Sequence, residues 1–458
     1  MYYIFTRDLP RCGSRSFEIR IMQSTIDWLV RAPFLHAQAC VLALAHTTPM
    51  AAMFAVVPAT TPVLARSAPG PSRVVNIRAS IPSSVRLGQH GRGRVGLTTR
   101  VATPRRAVHC CASGVDLRSL IERLCLGEDL SEQEAQASMD ALLDAEPEQI
   151  AAFLVLLRAK GETGAEMAGL ARAMKARGVP VLAGDDVLDI VGTGGDDAGT
   201  VNISTGSCIL AAAAGAKVAK HGNRSVSSLC GSADVLEALG VAIDLGPEGV
   251  AQCVKEVGMG FMYAPRYHPS MKAVAPVRKK LKVRTAFNLL GPMLNPASSK
   301  YALVGVYTPE LMPLMADSLM KLGMKKALVV CSTVGNLSLD EMTPCGPTSV
   351  MEVTPGGIKT YSFDPKDVGI PFCELSDLAG GDAKLNAQML MDALGGEKGP
   401  VANCLMLNAG VAMAAADQAE SVAEGVAMCK EAHAKGLGGE TLTKWVALSQ
   451  KLRAEEEE

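Results

Sequence analysis

Between Asp27 and Asp116 the chain has no acidic residue, and it has no lysine before Lys160. Arginines meanwhile recur at Arg66, Arg73, Arg78, Arg86, Arg92, Arg94, Arg100, Arg105 and Arg106. An acid-poor, arginine-, serine- and alanine-rich leader does not read as an ordinary globular surface; it is the pattern of an organellar transit peptide. Its length and its Pro, Ser and Thr content favour a plastid over a mitochondrion, with processing near residues 107–113 and a second transit-like start at Met50. No uninterrupted apolar run reaches the roughly 20 residues a membrane span needs. The best stretch, 37–57, is broken by His46, Thr47, Thr48 and Pro49. The 13 cysteines contain no C-x-x-C, and only Cys110 and Cys111 are adjacent, which argues against a zinc or disulfide framework. Cys208, Cys331 and Cys404 sit singly in apolar context, as small core residues in a reducing compartment do. Dinucleotide fingerprint and Walker A lysine are both missing. With 45 basic against 46 acidic residues, the overall charge gives no argument for nucleic acid.

What the chain does have is concentrated in residues 189–240, where DIVGTGGDDAGTVNIST is followed by AKHGNRSVSSLCGSADVLEALG. Residues 187–191 read as a short buried strand, Gly192, Gly194 and Gly195 permit a tight turn, and Ser204 and Thr205 open an apolar helix over 206–214. Strand, glycine loop and helix together aim free N–H groups and the positive end of a helix dipole at an anion. A second copy of the pattern follows: a strand at 217–219, a polar turn over 220–230, and a helix from Gly231 and Ser232 with Val235, Leu236 and Leu239 on its apolar face. Two anion-ready helix ends side by side suit a phosphorylated substrate.

Around this core the chain changes character once. Leu117, Leu120, Ile121 and Leu124 form one helical stripe, and Ser131 with Glu134, then Thr163 with Glu166, are capping boxes at two further helix starts. After Gly178-Val179-Pro180 short β-rich runs alternate with helices, including 302–307, 327–331 and 350–353, which predicts a largely buried sheet.

GTGGD at 192–196, NIST at 202–205, KHGNRSVSS at 220–228, GSADVLEALG at 231–240, APRYHPSM at 264–271, VRKKLKVRTAFNLLGPMLNP at 277–296 and LDEMTPCGPT at 339–348 resemble the anthranilate phosphoribosyltransferase family. The resemblance spans roughly residue 115 to the C-terminal end. It implies an α/β fold of the nucleoside phosphorylase and phosphoribosyltransferase class: a small helical domain over 113–182, rejoined by 266–290, and a larger α/β domain over 183–458 with a central, mostly parallel sheet. Residues 1–112 are the transit peptide and leader. The implied reaction moves the phosphoribosyl group of 5-phosphoribosyl 1-diphosphate to the amine of anthranilate, in the plastid stroma, with Mg2+ and as a homodimer. Neither a membrane nor nucleic acid is a partner.

By the same resemblance the donor is held by Gly192, Gly195, Asp196, Thr200, Asn202, Ser204, Thr205, Lys220, Ser228 and Ser232, with the metal on Ser204, Asp340 and Glu341. Lys220 suits a phosphate as a point charge, and hydroxyls and amides donate hydrogen bonds. Magnesium takes hard oxygen ligands, which paired carboxylates supply, although adjacent acids in a loop are ordinarily solvated. Anthranilate falls to Gly192, His221, Asn223, His268, Arg278, Gly291 and Pro292. A guanidinium fork is the natural partner of its carboxylate, although Arg278 stands in a basic run with Lys279, Lys280, Lys282 and Arg284 that reads equally as a helix surface. No residue is assigned as general acid or base. Leu229 stands where many relatives have a lysine. A pyrimidine nucleoside phosphorylase and a non-catalytic relative remain as alternatives; the acidic pair and Arg278 weigh against them.

Overall fold

The computed structural model describes residues 115–225 and 229–458. The leader, its processing site and Ser228 lie outside the described residues.

The N-terminal part is helical because its helix starts are locally encoded. Helices span Leu117–Cys125, Glu132–Leu143, Pro147–Lys160 and Gly164–Ala176. Both capping boxes form: Ser131 and Thr163 accept from the amides of Glu134 and Glu166, whose carboxylates accept from the cap amides in return. Glu166 goes further, for its fully buried carboxylate also receives Leu130 N at 2.8 Å and Lys160 Nζ at 3.0 Å. A Cβ at Gly169 would lie 2.2 Å from Glu132 O, so a glycine lets the second and fourth helices touch backbone to backbone. Much later in the chain, helix Met271–Leu281 packs back on Pro147–Lys160.

From Leu188 the fold becomes a sheet flanked by helices. Strands β1 (Leu188–Gly192), β2 (Val218–Gly222), β3 (Met259–Tyr263), β4 (Tyr301–Gly305), β5 (Lys326–Val334), β6 (Leu337–Leu339), β7 (Thr348–Thr354) and β8 (Gly357–Phe363) lie in the order β3-β2-β1-β4-β5-β7-β8, with β6 paired to β5. The pairs among β1 to β5 are parallel and those of β6, β7 and β8 antiparallel, as a central, mostly parallel sheet requires. The run YALVG is buried on both faces, which explains its unbroken hydrophobicity, and LDIV is buried likewise with Asp189 as its one polar member. Since the chain moves outward from β1 through β2 to β3 and then restarts at β4 on the other side of β1, the order reverses between β1 and β4. Open α/β sheets bind ligands at the carboxyl ends of the strands flanking such a reversal. Here those ends are Gly192 and Gly305, which face one another in register.

Three boundaries differ from the sequence reading, each with a consequence for the site. The strand expected at 217–219 continues to Gly222, because Lys220 and His221 pair with Phe261 and Met262 of β3. The helix expected from 206 begins at Ile203, so Ser204 and Thr205 lie within its first turn. Finally, β5 outlasts Cys331 and turns back as β6, which returns the chain to the carboxyl edge of the sheet at Asp340.

The C-terminal helices close the sheet from one side. Pro400–Ala415 is buried along nearly its whole length against Ile203–Ala213. The last helix, Leu437–Glu457, buries Trp445 and clasps residues 240–246. Ser449 Oγ accepts Ala242 N at 3.1 Å, Gln450 donates to Gly240 O at 2.7 Å, and Glu456 accepts Gly246 N at 2.7 Å while pairing with Arg266.

Candidate active site

The site is built where β1 and β4 end, and two glycines make it. A Cβ on Gly305 would stand 1.5 Å from Asp340 O, and one on Gly192 would stand 2.3 Å from Asp340 Oδ2. Only bare backbone admits the segment after β6 between the two strand ends. Asp340 therefore arrives buried, and its Oδ2 accepts Gly194 N at 2.6 Å. Glu341 Oε1 accepts Ser204 N at 3.2 Å in the first turn of helix Ile203–Ala213. Ser204, Asp340 and Glu341 are thus brought together, and the glycine turn, with Gly194 and Gly195 at positive φ, is tied to them. Asp196 joins the group from the same turn. Burial, then the charge of Asp196, raises the Asp340 carboxyl well above the ordinary range; burial, then Asp340, does the same to Glu341.

Beneath the turn lies a second buried polar cluster. Lys220 is 2% exposed and its ammonium donates to Ile190 O at 2.6 Å, so it sits inside the sheet rather than in a polar loop. Asp189 accepts from Asn295 Nδ2 at 2.7 Å and from His221 N, and burial pushes it up to about 6 against the pull of Lys220. The His221 ring meets Gly291 O through Nδ1 at 3.1 Å and stands edge-on to His268, with centroids 5.1 Å apart. Burial, helped by His268, lowers His221 to about 3, and burial also lowers His268. Both rings are neutral near pH 7. Gly291 and Pro292 form a short 3-10 turn alongside.

Some expected donors are already employed. Asn202 donates to Cys230 O and accepts from Asn386, which makes it a tie between the helix start and its surroundings. Ser232 Oγ donates to Asn223 O, and Thr200 bridges to Ala379. The second helix end, at Ser232–Ala238, differs from the expected open anion cradle. Asp234 takes the amides of Gly231 and Ser225 together with Arg224, and Asn223 O takes Ala233 N. Thr205 Oγ1, by contrast, is buried with no hydrogen-bond partner among the described residues. Leu229 is 83% exposed.

Arg278 is half-buried on helix Met271–Leu281, and its guanidinium lies 5.5 Å from the Phe287 ring centre. It forms no ion pair with a described carboxylate, and burial lowers its pKa. A half-buried guanidinium with no described carboxylate beside it is able to receive an anion. Sequence reasoning passed over Arg284 in the same basic run. Its Nη2 donates to Gly195 O at 2.5 Å, and the guanidinium lies 4.0 Å from the Tyr307 ring centre. It likewise passed over the closeness of Asp196 to Asp340 and the buried hub at Asp189.

Magnesium fits this donor set. The carboxylates of Asp340, Glu341 and Asp196 are hard oxygen donors, and burial with mutual repulsion holds the first two protonated too readily, a condition a divalent cation relieves. Among the described residues no group of three or more His, Cys, Asp or Glu is placed to hold a metal ion by itself. A partial protein shell completed by water and substrate oxygens is how magnesium is usually held.

Residues 118–178 match the family model described as glycosyl transferase family, helical bundle domain, and residues 184–438 match its a/b domain. Anthranilate phosphoribosyltransferase of Moorella thermoacetica is 45% identical over 334 residues, covering 72% of this chain and 98% of that protein. The enzyme of that name from Rubrobacter xylanophilus is 44% identical, covering 73% and 98%. Among solved structures, anthranilate phosphoribosyltransferase from Thermus thermophilus is 42% identical with a TM-score of 0.68, covering 72% of this chain and 99% of that one. The Saccharomyces cerevisiae enzyme in complex with PRPP and Mg is 27% identical with a TM-score of 0.67, covering 73% and 98%. Matching both domain models, with its glycine turn, acidic pair and Arg278 inside the a/b match, the chain belongs to the anthranilate phosphoribosyltransferase family.

Proposed function

We propose that this chain transfers the phosphoribosyl group of 5-phosphoribosyl 1-diphosphate to the amine of anthranilate, releasing diphosphate. The observation that carries the reading is the joining of Gly194, Ser204, Asp340 and Glu341 at the carboxyl ends of β1 and β4. The C1–O bond to diphosphate breaks as the C1–N bond forms, and the amine gives up one proton to solvent. Magnesium bound with the diphosphate neutralises charge on the leaving group. Asp340, Glu341 and Ser204 are the residues that would hold it. The glycine turn and first helical turn supply N–H donors for the anionic groups of the donor, and Thr205 contributes a buried hydroxyl with no protein partner among the described residues.

Arg278 receives the anthranilate carboxylate, orienting the amine toward the sugar, while His221, His268, Gly291 and Pro292 wall the acceptor side. Neutral imidazoles there leave the aromatic amine unprotonated and uncrowded by charge. An aromatic amine is already nucleophilic, so positioning and leaving-group stabilisation carry the rate. The acid-poor leader supports delivery to the plastid, and a homodimer is part of the same reading.

The test is loss of anthranilate fluorescence on addition of 5-phosphoribosyl 1-diphosphate and magnesium to the protein from about residue 108. No turnover, with phosphate-dependent cleavage of thymidine or uridine instead, refutes the proposal.

A further inference from the structure

We infer that Arg284 is a positioning residue for the phosphoribosyl donor, acting through the glycine turn; this rests on the function just proposed. The turn is conformationally expensive. Gly194 and Gly195 have φ of 71° and 82°, and Asp197, which is not a glycine, has φ of 56°. Backbone of this kind persists where its surroundings over-determine it. Arg284 is an external constraint on it beside Asp340 and Gly305. Its Nη2 donates to Gly195 O, its Nη2 stands 4.0 Å from Asp197 Oδ2, and its plane lies over Tyr307. Tyr307 is itself fastened to the turn, because its amide donates to Thr193 Oγ1 at 3.2 Å while Thr193 N donates to Gly305 O at 3.0 Å. Arginine, tyrosine and threonine thus brace Gly194, whose N–H meets Asp340.

The placement also explains why the brace sits on this segment. Arg284 follows helix Met271–Leu281, whose last turn ends at Lys282 with φ of 54°. That left-handed residue turns the chain from the helix carrying Arg278 toward the glycine turn. Phe287, under the Arg278 guanidinium, comes three residues after Arg284. One short stretch of chain therefore touches the proposed acceptor anchor at one end and the donor turn at the other.

The experiment compares wild type with Arg284→Ala, Arg284→Lys and Tyr307→Leu in the full chain, measuring kcat and both KM values and the donor's protection against thermal unfolding. Loss of one charge-assisted hydrogen bond to the turn corresponds to about tenfold or more in donor KM. Arg284→Ala should raise KM for 5-phosphoribosyl 1-diphosphate by about that factor while anthranilate KM moves less than threefold. Arg284→Lys should recover only part, since an ammonium keeps the charge but not the planar stack. Tyr307→Leu, which removes the ring but keeps the backbone amide that meets Thr193, should shift the same constant in the same direction and serves if Arg284→Ala does not fold. Donor KM within twofold of wild type in the folded variants, or equal changes in both KM values, overturns the inference. Wild-type turnover is measured alongside, so absence of the activity itself is told apart from failure of Arg284 to act.

Discussion

Gly192→Ala adds one methyl group and should disable the site through Asp340. An ideal Cβ at this position lies 2.3 Å from Asp340 Oδ2 and 2.8 Å from its Cγ, whereas ordinary contact begins at 3.4 Å. The carboxylate has to retreat by roughly 1 Å, which stretches its 2.6 Å hydrogen bond from Gly194 N to about 3.6 Å, beyond the limit for such a bond. A hydrogen bond to a charged group contributes about 1.5–3 kcal/mol. At about 1.4 kcal/mol per tenfold, kcat/KM for the donor should fall about 10- to 150-fold. The assay is anthranilate fluorescence at saturating magnesium with the donor varied. Gly346→Ala is the control, because a Cβ there meets nothing within 4 Å and should leave the constants unchanged. A thermal melt separates strain from chemistry: Asp340→Ala in the Gly192→Ala background removes the obstructing carboxylate, so the double variant should melt no lower than Gly192→Ala alone. A Gly192→Ala enzyme within threefold of wild-type kcat/KM refutes the steric reasoning.

Arg278→Ala should raise anthranilate KM about tenfold or more while leaving the melting temperature unchanged or higher, because the removed guanidinium is desolvated and unpaired with any described carboxylate; an unaltered acceptor KM removes Arg278 from the site. Asp340→Asn with Glu341→Gln should raise the magnesium concentration needed for half-maximal rate, and a superimposable metal titration counts against the acidic pair. His221 is depressed to about 3, so below about pH 6.5 the unfolded chain takes up a proton that the folded chain refuses. Stability from this group is therefore full above that pH and declines by about 1.4 kcal/mol per unit as pH falls toward 3. Asp189, raised to about 6, acts with the opposite sign between about pH 6 and 4. Urea unfolding of wild type and His221→Asn at pH 7 and 5 isolates the histidine: the stability difference should shift by about 2 kcal/mol in favour of the variant at pH 5, and parallel pH dependences refute the assignment.

How much of this could be read from sequence depended on the range of the interaction. Ser131 with Glu134 and Thr163 with Glu166 were legible because a capping box closes within four residues. The glycine turn was legible because left-handed backbone leaves its mark in composition. Lys220 and His221 misled, since polar residues inside a strand imitate a turn unless the neighbouring strand that buries them is known. Asp340 and Glu341 looked like solvated loop acids for the same reason: nothing local announces that β6 carries them back between two glycines more than a hundred residues apart. Arg284 was hidden by its neighbours, because in a run of basic residues only tertiary contact distinguishes the one that grips a turn. Asp234 closes the second helix end with its own carboxylate, a local capping arrangement already present in GSAD, so this end was readable as occupied rather than open.

The clasp of the last helix on residues 240–246 has a consequence for the order of synthesis. Glu456 secures Gly246 and Arg266, just ahead of the turn that leads to His268. Helix Pro400–Ala415 covers helix Ile203–Ala213, which carries Ser204. On a ribosome, the helices between Leu117 and Ala176 emerge long before these partners do. Helices Ile203–Ala213 and Pro247–Val257 must wait with part of their apolar faces uncovered until the last helix is released. Trimming from Arg453 onward should therefore lower the yield of soluble protein more than it lowers the activity of the molecules that do fold.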